Sequence, residues 1–131
     1  MRAFREAVEA GDMAAVEALL AEDVVFTSPV VFKPYPGRAI TAAILRAVSQ
    51  VFEDFRYERE LAGADGRDHA LVFAARVGDR ELSGCDFIHV DEEGLIDELT
   101  VMVRPLSAAQ ALAAAMGAQF DRIEKEAQAR S

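Results

Sequence analysis

The feature that most limits the fold is a change of hydrophobic period near Asp54. Upstream, apolar residues recur at helical spacing. Phe4, Val8, Val16, Leu19 and Leu20 fit two short helices broken at Gly11 and Asp12, where Gly11 suits a left-handed C-terminal position and the Asp12 carboxylate can cap the second helix. Val24 to Ser28 is β-branched and aromatic up to Pro29, which predicts a short strand. Residues 29–37 hold three prolines and two aromatics and form a structured loop, and residues 38–52 return to helical period through Ile40, Ile44, Val48 and Phe52. Downstream the pattern alternates: Phe55, Tyr57 and Leu61 stand against Arg56, Glu58 and Glu60. Three more strands follow, at about residues 69–77, 81–90 and 95–104, with turns at Gly78-Asp79 and over residues 91–94. Pro105 stops the last strand. Ser107 and Gln110 then match a capping box that opens one C-terminal helix and tail over residues 106–131, with Leu112, Met116, Phe120 and Ile123 on one face. Helices first and a meander second predict an α+β domain in which three helices cover one face of a curved antiparallel sheet.

Composition narrows what such a domain can meet. At 131 residues the chain is expected to be a single domain. It carries 23 acidic against 14 basic side chains, for a net charge of -9, and Lys33 is the only lysine before Lys125. A phosphate backbone needs cationic side chains to displace its counterions, so nucleic acid is disfavoured as a partner, and anionic membranes are disfavoured for the same reason. Cys85 is the only cysteine, which excludes an intramolecular disulfide and a cysteine-based metal cage. The N-terminal stretch is charged every few residues, and no apolar run approaches the length of a membrane span, so the expected location is the cytoplasm. Neither His69 nor His89 has a second ligand at metal-binding spacing, and glycines do not cluster as in a phosphate-binding loop, so neither a metal nor a cofactor is expected.

The turns allow the sheet to be read face by face. If Gly78-Asp79 is a two-residue turn, Val77 pairs with Arg80, and the same face carries Phe73 opposite Gly84, Leu71 opposite Asp86 and His69 opposite Ile88. Pairing Val90 with Leu95 adds Leu99 beside Asp86, Val101 beside Gly84, and Asp97 beside Ile88 in the row of His69. This face is apolar except for Asp86 in its middle and the His69–Asp97 row near one end. The reverse face mixes Val72, Cys85, Phe87, His89, Thr100 and Met102, too apolar for open water and too polar for a core. A carboxyl among Leu71, Leu99, Gly84 and Ile88 loses hydration, which disfavours its charged form, so Asp86 is the candidate acid or base and His69 a candidate second group.

With those residues in view, the chain resembles the nuclear transport factor two-like superfamily, and within it the SnoaL-like and ketosteroid isomerase-like small domains. The match is carried by residues 10–29, by Pro36-Gly-Arg-Ala-Ile40, by residues 84–96 and by Val103-Arg-Pro-Leu-Ser107. The resemblance implies a cystatin-like cone, a bent sheet and three helices around a deep apolar pocket, commonly dimeric through the outer sheet face. It places Asp86 where ketosteroid isomerases have their oxyanion-hole acid, Phe4 where they have a partner tyrosine, and Ser28 where they have a general-base aspartate. A small hydrophobic molecule with one polar group is the expected ligand. Phe26, Ser28, Tyr57, Leu71, Phe73, Leu99 and Val101 are its expected contacts, Asp86 fixes the polar end, and an isomerase, cyclase or hydrolase without a cofactor is the expected enzyme class. The alternative is a non-catalytic binding or association module working through the dimer face.

Overall fold

The computed structural model describes residues 1–130. Its elements run α1 (Arg2–Ala10), α2 (Met13–Ala18), β1 (Leu20–Thr27), β2 (Tyr35–Pro36), α3 (Arg38–Val51), β3 (Glu53–Ala62), β4 (Asp68–Val77), β5 (Arg80–Val90), β6 (Ile96–Arg104), α4 (Leu106–Gly117) and α5 (Phe120–Arg130). Local chemistry sets the first breaks as expected: Gly11 closes α1 at φ 70°, and Asp12 Oδ1 accepts the Ala15 amide 3.1 Å away at the start of α2.

The six strands form one curved, open sheet in the order β2-β1-β6-β5-β4-β3. The β3 to β6 meander is antiparallel, but the sheet as a whole is mixed, because β1 lies parallel to β6. That corrects the expectation of a purely antiparallel sheet. The long helical excursion between β1 and β3 lets the chain enter the sheet beside its last strand, a pairing that no tight turn announces.

Register follows the turn chemistry where the turn is short. Across Gly78-Asp79, Val77 pairs with Arg80, Phe73 with Gly84, Leu71 with Asp86 and His69 with Ile88, as the sequence predicts. Between β5 and β6 the observed pairs are Gly84 with Val103, Asp86 with Val101 and Ile88 with Leu99, two residues from the expected register. The cause is a longer turn closed by the Asp91 amide on the Leu95 carbonyl, followed by a bulge that leaves Asp97 unpaired between Ile96 and Glu98. An even shift preserves faces, so Leu99, Val101 and Val103 stay inward. Asp97 does not: its Oδ1 lies 2.6 Å from His89 Nδ1 on the outer face, away from the row in which it was expected.

Helices α1 to α3 cover the inner face, and the core holds Phe4, Val16, Leu20, Val24, Leu71, Phe73, Ile96 and Leu99, each at most 2% exposed. Full burial of a side chain of this size contributes about 1.5–3 kcal/mol. Gly84 is required here: a Cβ at that position would stand 2.4 Å from Phe73 Cζ and 2.6 Å from the Met102 carbonyl oxygen. The C-terminal segment is two helices rather than one, broken at Ala118 and Gln119, and Pro105 occupies the N-cap of α4 without a side-chain cap. Helix α4 therefore starts one residue ahead of Ser107, because Pro105 sets the entry directly and the capping box goes unused. The break after Gly117 turns α5 back onto α3, where Ile123 and Ala127 are buried.

Candidate functional site

The inner face and its helices enclose a cavity of about 550 Å³, within the range of small-molecule sites. Each wall has a source in the sequence. Strands β1, β6, β5 and β4 contribute Phe26, Val101, Asp86 and Phe73, and β3 contributes Phe55 and Tyr57. The α3 stripe presents Ile44, Val48 and Phe52, while α4 and the start of α5 add Leu112, Met116 and Phe120. Two aromatic groups bound the space. Phe52, Phe55, Tyr57 and Phe73 form one, with Phe55 edge-on to Tyr57 at 4.9 Å between centroids; Phe26, Tyr35 and Phe120 form the other, at 6.4 and 5.9 Å.

Asp86 is the one carboxylate lining this apolar space among the described residues, and it is 8% exposed. The Tyr57 hydroxyl donates to Asp86 Oδ2 at 2.9 Å, and Oδ1 has no protein donor among the described residues. Burial raises the Asp86 pKa to about 7, and the Tyr57 hydrogen bond holds it from rising further. Burial and the adjacent Asp86 charge push the Tyr57 phenol far above its ordinary range, so Tyr57 remains a protonated donor at every pH at which the fold operates. Near neutrality Asp86 is thus populated in both forms. Protonated, it offers a hydrogen bond to a carbonyl or ether oxygen; ionised, it accepts a proton. The Arg5 guanidinium carbon lies 5.8 Å from the centre of the Tyr57 ring and joins that end of the cavity to α1.

The structure brings together Asp86, Phe26, Ser28, Tyr57, Phe73 and Val101 on the cavity wall. Ser28 Oγ accepts the Val30 amide at 3.0 Å, which leaves its hydroxyl proton to donate. Leu71 and Leu99 are fully buried in the core behind the wall and do not line the space; for Leu99 the register is the cause, since it places Val101 rather than Leu99 beside Asp86. His69 lies outside the cavity at the far end of β4. Its Nε2 contacts the Gly66 carbonyl oxygen at 2.9 Å and its Nδ1 the terminal ammonium of Met1 at 3.2 Å, a geometry in which Nε2 donates and Nδ1 accepts. His69 therefore does not share the cavity with Asp86.

Sequence spacing misses two features. The phenol bonded to the acid comes from Tyr57 on β3, whereas Phe4 occupies the position where the family resemblance places a tyrosine; Tyr57 and Asp86 share the apolar face, and that was the available signal. On the outer face His89, Asp97 and Glu98 come together although eight residues separate His89 from Asp97, because the bulge swings Asp97 outward. The short hydrogen bond to Asp97 raises the His89 pKa, with the neighbouring Asp68 and Glu98 charges adding to it. Spacing gives neither histidine a partner at metal-ligand distance in the sequence and sets Asp97 in the row of His69; the fold instead brings Asp97 and Glu98 to His89.

Residues 1–99 match the SnoaL-like domain. The chain belongs to the SnoaL-like family. Its fold is that of the nuclear transport factor two-like superfamily. The crystal structure of a steroid delta-isomerase from Pseudomonas aeruginosa is 45% identical, covering 91% of this chain and 87% of that one, with a TM-score of 0.87. A cystatin-like protein conserved in bacteria, from Silicibacter pomeroyi DSS-3, is 39% identical over 97% and 91% of the two chains, with a TM-score of 0.88. The epoxide hydrolase/cyclase-like enzyme SalBIII of salinomycin pyran-ring formation shares the fold at 21% identity, 80% and 87% coverage and a TM-score of 0.65. No curated protein matches the chain. Among the described residues, no helix is long and apolar enough to cross a membrane.

Proposed function

We propose that this SnoaL-like protein binds a small, neutral, hydrophobic molecule in the cavity, with Asp86 holding the molecule's polar end. Asp86 would act as the general acid/base of a cofactor-free isomerisation, cyclisation or hydrolysis. One observation carries the reading: a single Tyr57-bonded carboxyl, poised between its two protonation states, stands on the wall of an otherwise apolar cavity. An anionic ligand would find no cationic side chain on the cavity wall, whereas a carbonyl, hydroxyl or epoxide oxygen would find the acid. The 45% identical isomerase supports the isomerase class. Such a reaction moves a proton between carbons, so with Ser28 at the position of the isomerase base the ionised Asp86 would remove and return that proton, and during those steps the substrate oxygen would take its hydrogen bond from another donor, the Ser28 hydroxyl.

The test is binding and turnover of hydrophobic enones and epoxides by the parent, Asp86→Asn and Asp86→Ala. Loss of turnover in both variants, with affinity for the polar end reduced, is the expected result; unchanged affinity and turnover in both would end the proposal. A second reading, a non-catalytic carrier, is favoured by Ser28 standing where a base is needed, and mass spectrometry separates the two, since a carrier returns every bound molecule unaltered. Half-exposed Phe87 and Met102 on the outer face support self-association into a homodimer through that face. The lone Cys85, which leaves the chain without an intramolecular disulfide, supports a cytoplasmic location.

A further inference from the structure

We infer that the α4–α5 hairpin sets the length of the molecule that the cavity accepts, with Phe120 as the stop, and that the ligand is an elongated neutral compound running from Asp86 across the strands to the Phe26–Tyr35–Phe120 wall. The inference rests on the binding reading above and adds the ligand's shape and the residue that limits it. Asp86 sits on β5 and Tyr35 on β2, three strands apart in the sheet order, which at the usual strand spacing is about 14 Å. Between them, Val101 on β6 and Phe26 on β1 form the floor, and Leu112 and Met116 of α4 face the same space. The polar group therefore stands toward one end of a long apolar trough, and the Tyr35 and Phe120 rings, 5.9 Å apart, stand on its wall toward the other.

Phe120 is a fixed wall. Helix α5 is anchored to the body by buried Ile123 and Ala127, and by ions: Arg130 Nη1 lies 2.7 and 2.9 Å from the two Glu17 carboxylate oxygens, Arg46 Nη2 lies 2.8 Å from Glu17 Oε1, and Arg46 Nη1 lies 3.5 Å from Glu126. Arg122 also reaches Gln50 of α3 at 3.4 Å. None of these contacts needs a ligand. Of the three rings in this wall, Phe26 and Tyr35 lie within residues 1–99, the stretch that matches the family, and Phe120 lies beyond it.

The test measures affinity for a series of methyl n-alkyl ketones, butanone to dodecanone, by calorimetry on the intact chain and on Phe120→Ala, Phe120→Trp and Asp86→Asn. For the parent, affinity should rise about fourfold for each methylene buried until the chain meets Phe120, then fall. Phe120→Ala should carry the rise on to longer ketones, and Phe120→Trp should end it at shorter ones. Asp86→Asn should weaken every member alike and leave the optimum length in place. An optimum unmoved in both Phe120 variants overturns the ruler while leaving the binding site intact. A parent that binds no ketone of any length overturns both the binding reading and the inference built on it.

Discussion

Asp86 and Tyr57 are inseparable at the residue scale. A carboxyl whose pKa is raised from 3.8 to about 7 on folding holds its proton better in the folded chain than in the unfolded one. The Asp86 contribution to stability is therefore greatest below the unfolded pKa near 4 and declines as pH climbs through the folded value near 7, by roughly 4 kcal/mol over that window. Asp86→Asn removes the titration. Urea unfolding at pH 5 and pH 8 should show the parent losing stability across the interval and the Asn variant losing much less; parallel curves would refute the assignment. Tyr57→Phe takes away the one donor that favours the ionised form. It should raise the Asp86 pKa further and cost about 1–3 kcal/mol above pH 8, where the buried charge is left bare. Glu17 has the opposite sign: partial burial pushes its pKa up, but its Arg46 and Arg130 partners together outweigh that and lower it, so its contribution is present above the ordinary glutamate value and fades as the pH falls through the lowered one.

The elements show how far turn chemistry reaches. Gly78-Asp79 has room for one register only, and that register sets Asp86 opposite Leu71. The β5–β6 turn is longer and followed by a bulge, so the same reasoning lands two residues away and misassigns Asp97. Nothing in the local sequence distinguishes a bulged aspartate from a paired one, because the outward swing is settled by His89 on the neighbouring strand. The parallel β1–β6 pairing and the break between α4 and α5 are likewise tertiary choices. Two predictions belong here. Gly84→Ala forces a methyl into the Phe73 ring and the Met102 carbonyl, and should cost about 1–3 kcal/mol in chemical unfolding; a variant as stable as the parent would mean that β4 and β5 yield easily. Glu17→Gln weakens the ion pairs that join α2 to α5 and to α3. Amide exchange should quicken in α5 and leave the β4–β5 ladder unchanged, whereas uniform quickening would show that α5 is no separate unit.

For the whole molecule, the architecture and the acid were readable from periodicity and face assignment, and the end wall was not. Met116 and Phe120 were visible as an apolar helical face, but which space that face closes depends on α5 folding back against α3. Tyr35 sits in a proline-rich loop with no period to read. The outer face gives a prediction of its own: sedimentation at micromolar concentration should find a dimer, and Phe87→Glu with Met102→Glu a monomer, while a monomeric parent would remove that face from the proposal. All of these parts serve one arrangement, a sheet and five helices that keep a single carboxyl out of water inside an apolar space. Carbon-13 NMR titration of the Asp86 side-chain carboxyl, assigned by its loss in Asp86→Asn, tests that arrangement most directly. A midpoint near pH 7 is the predicted result; a midpoint near the ordinary aspartate value of about 4 would contradict it.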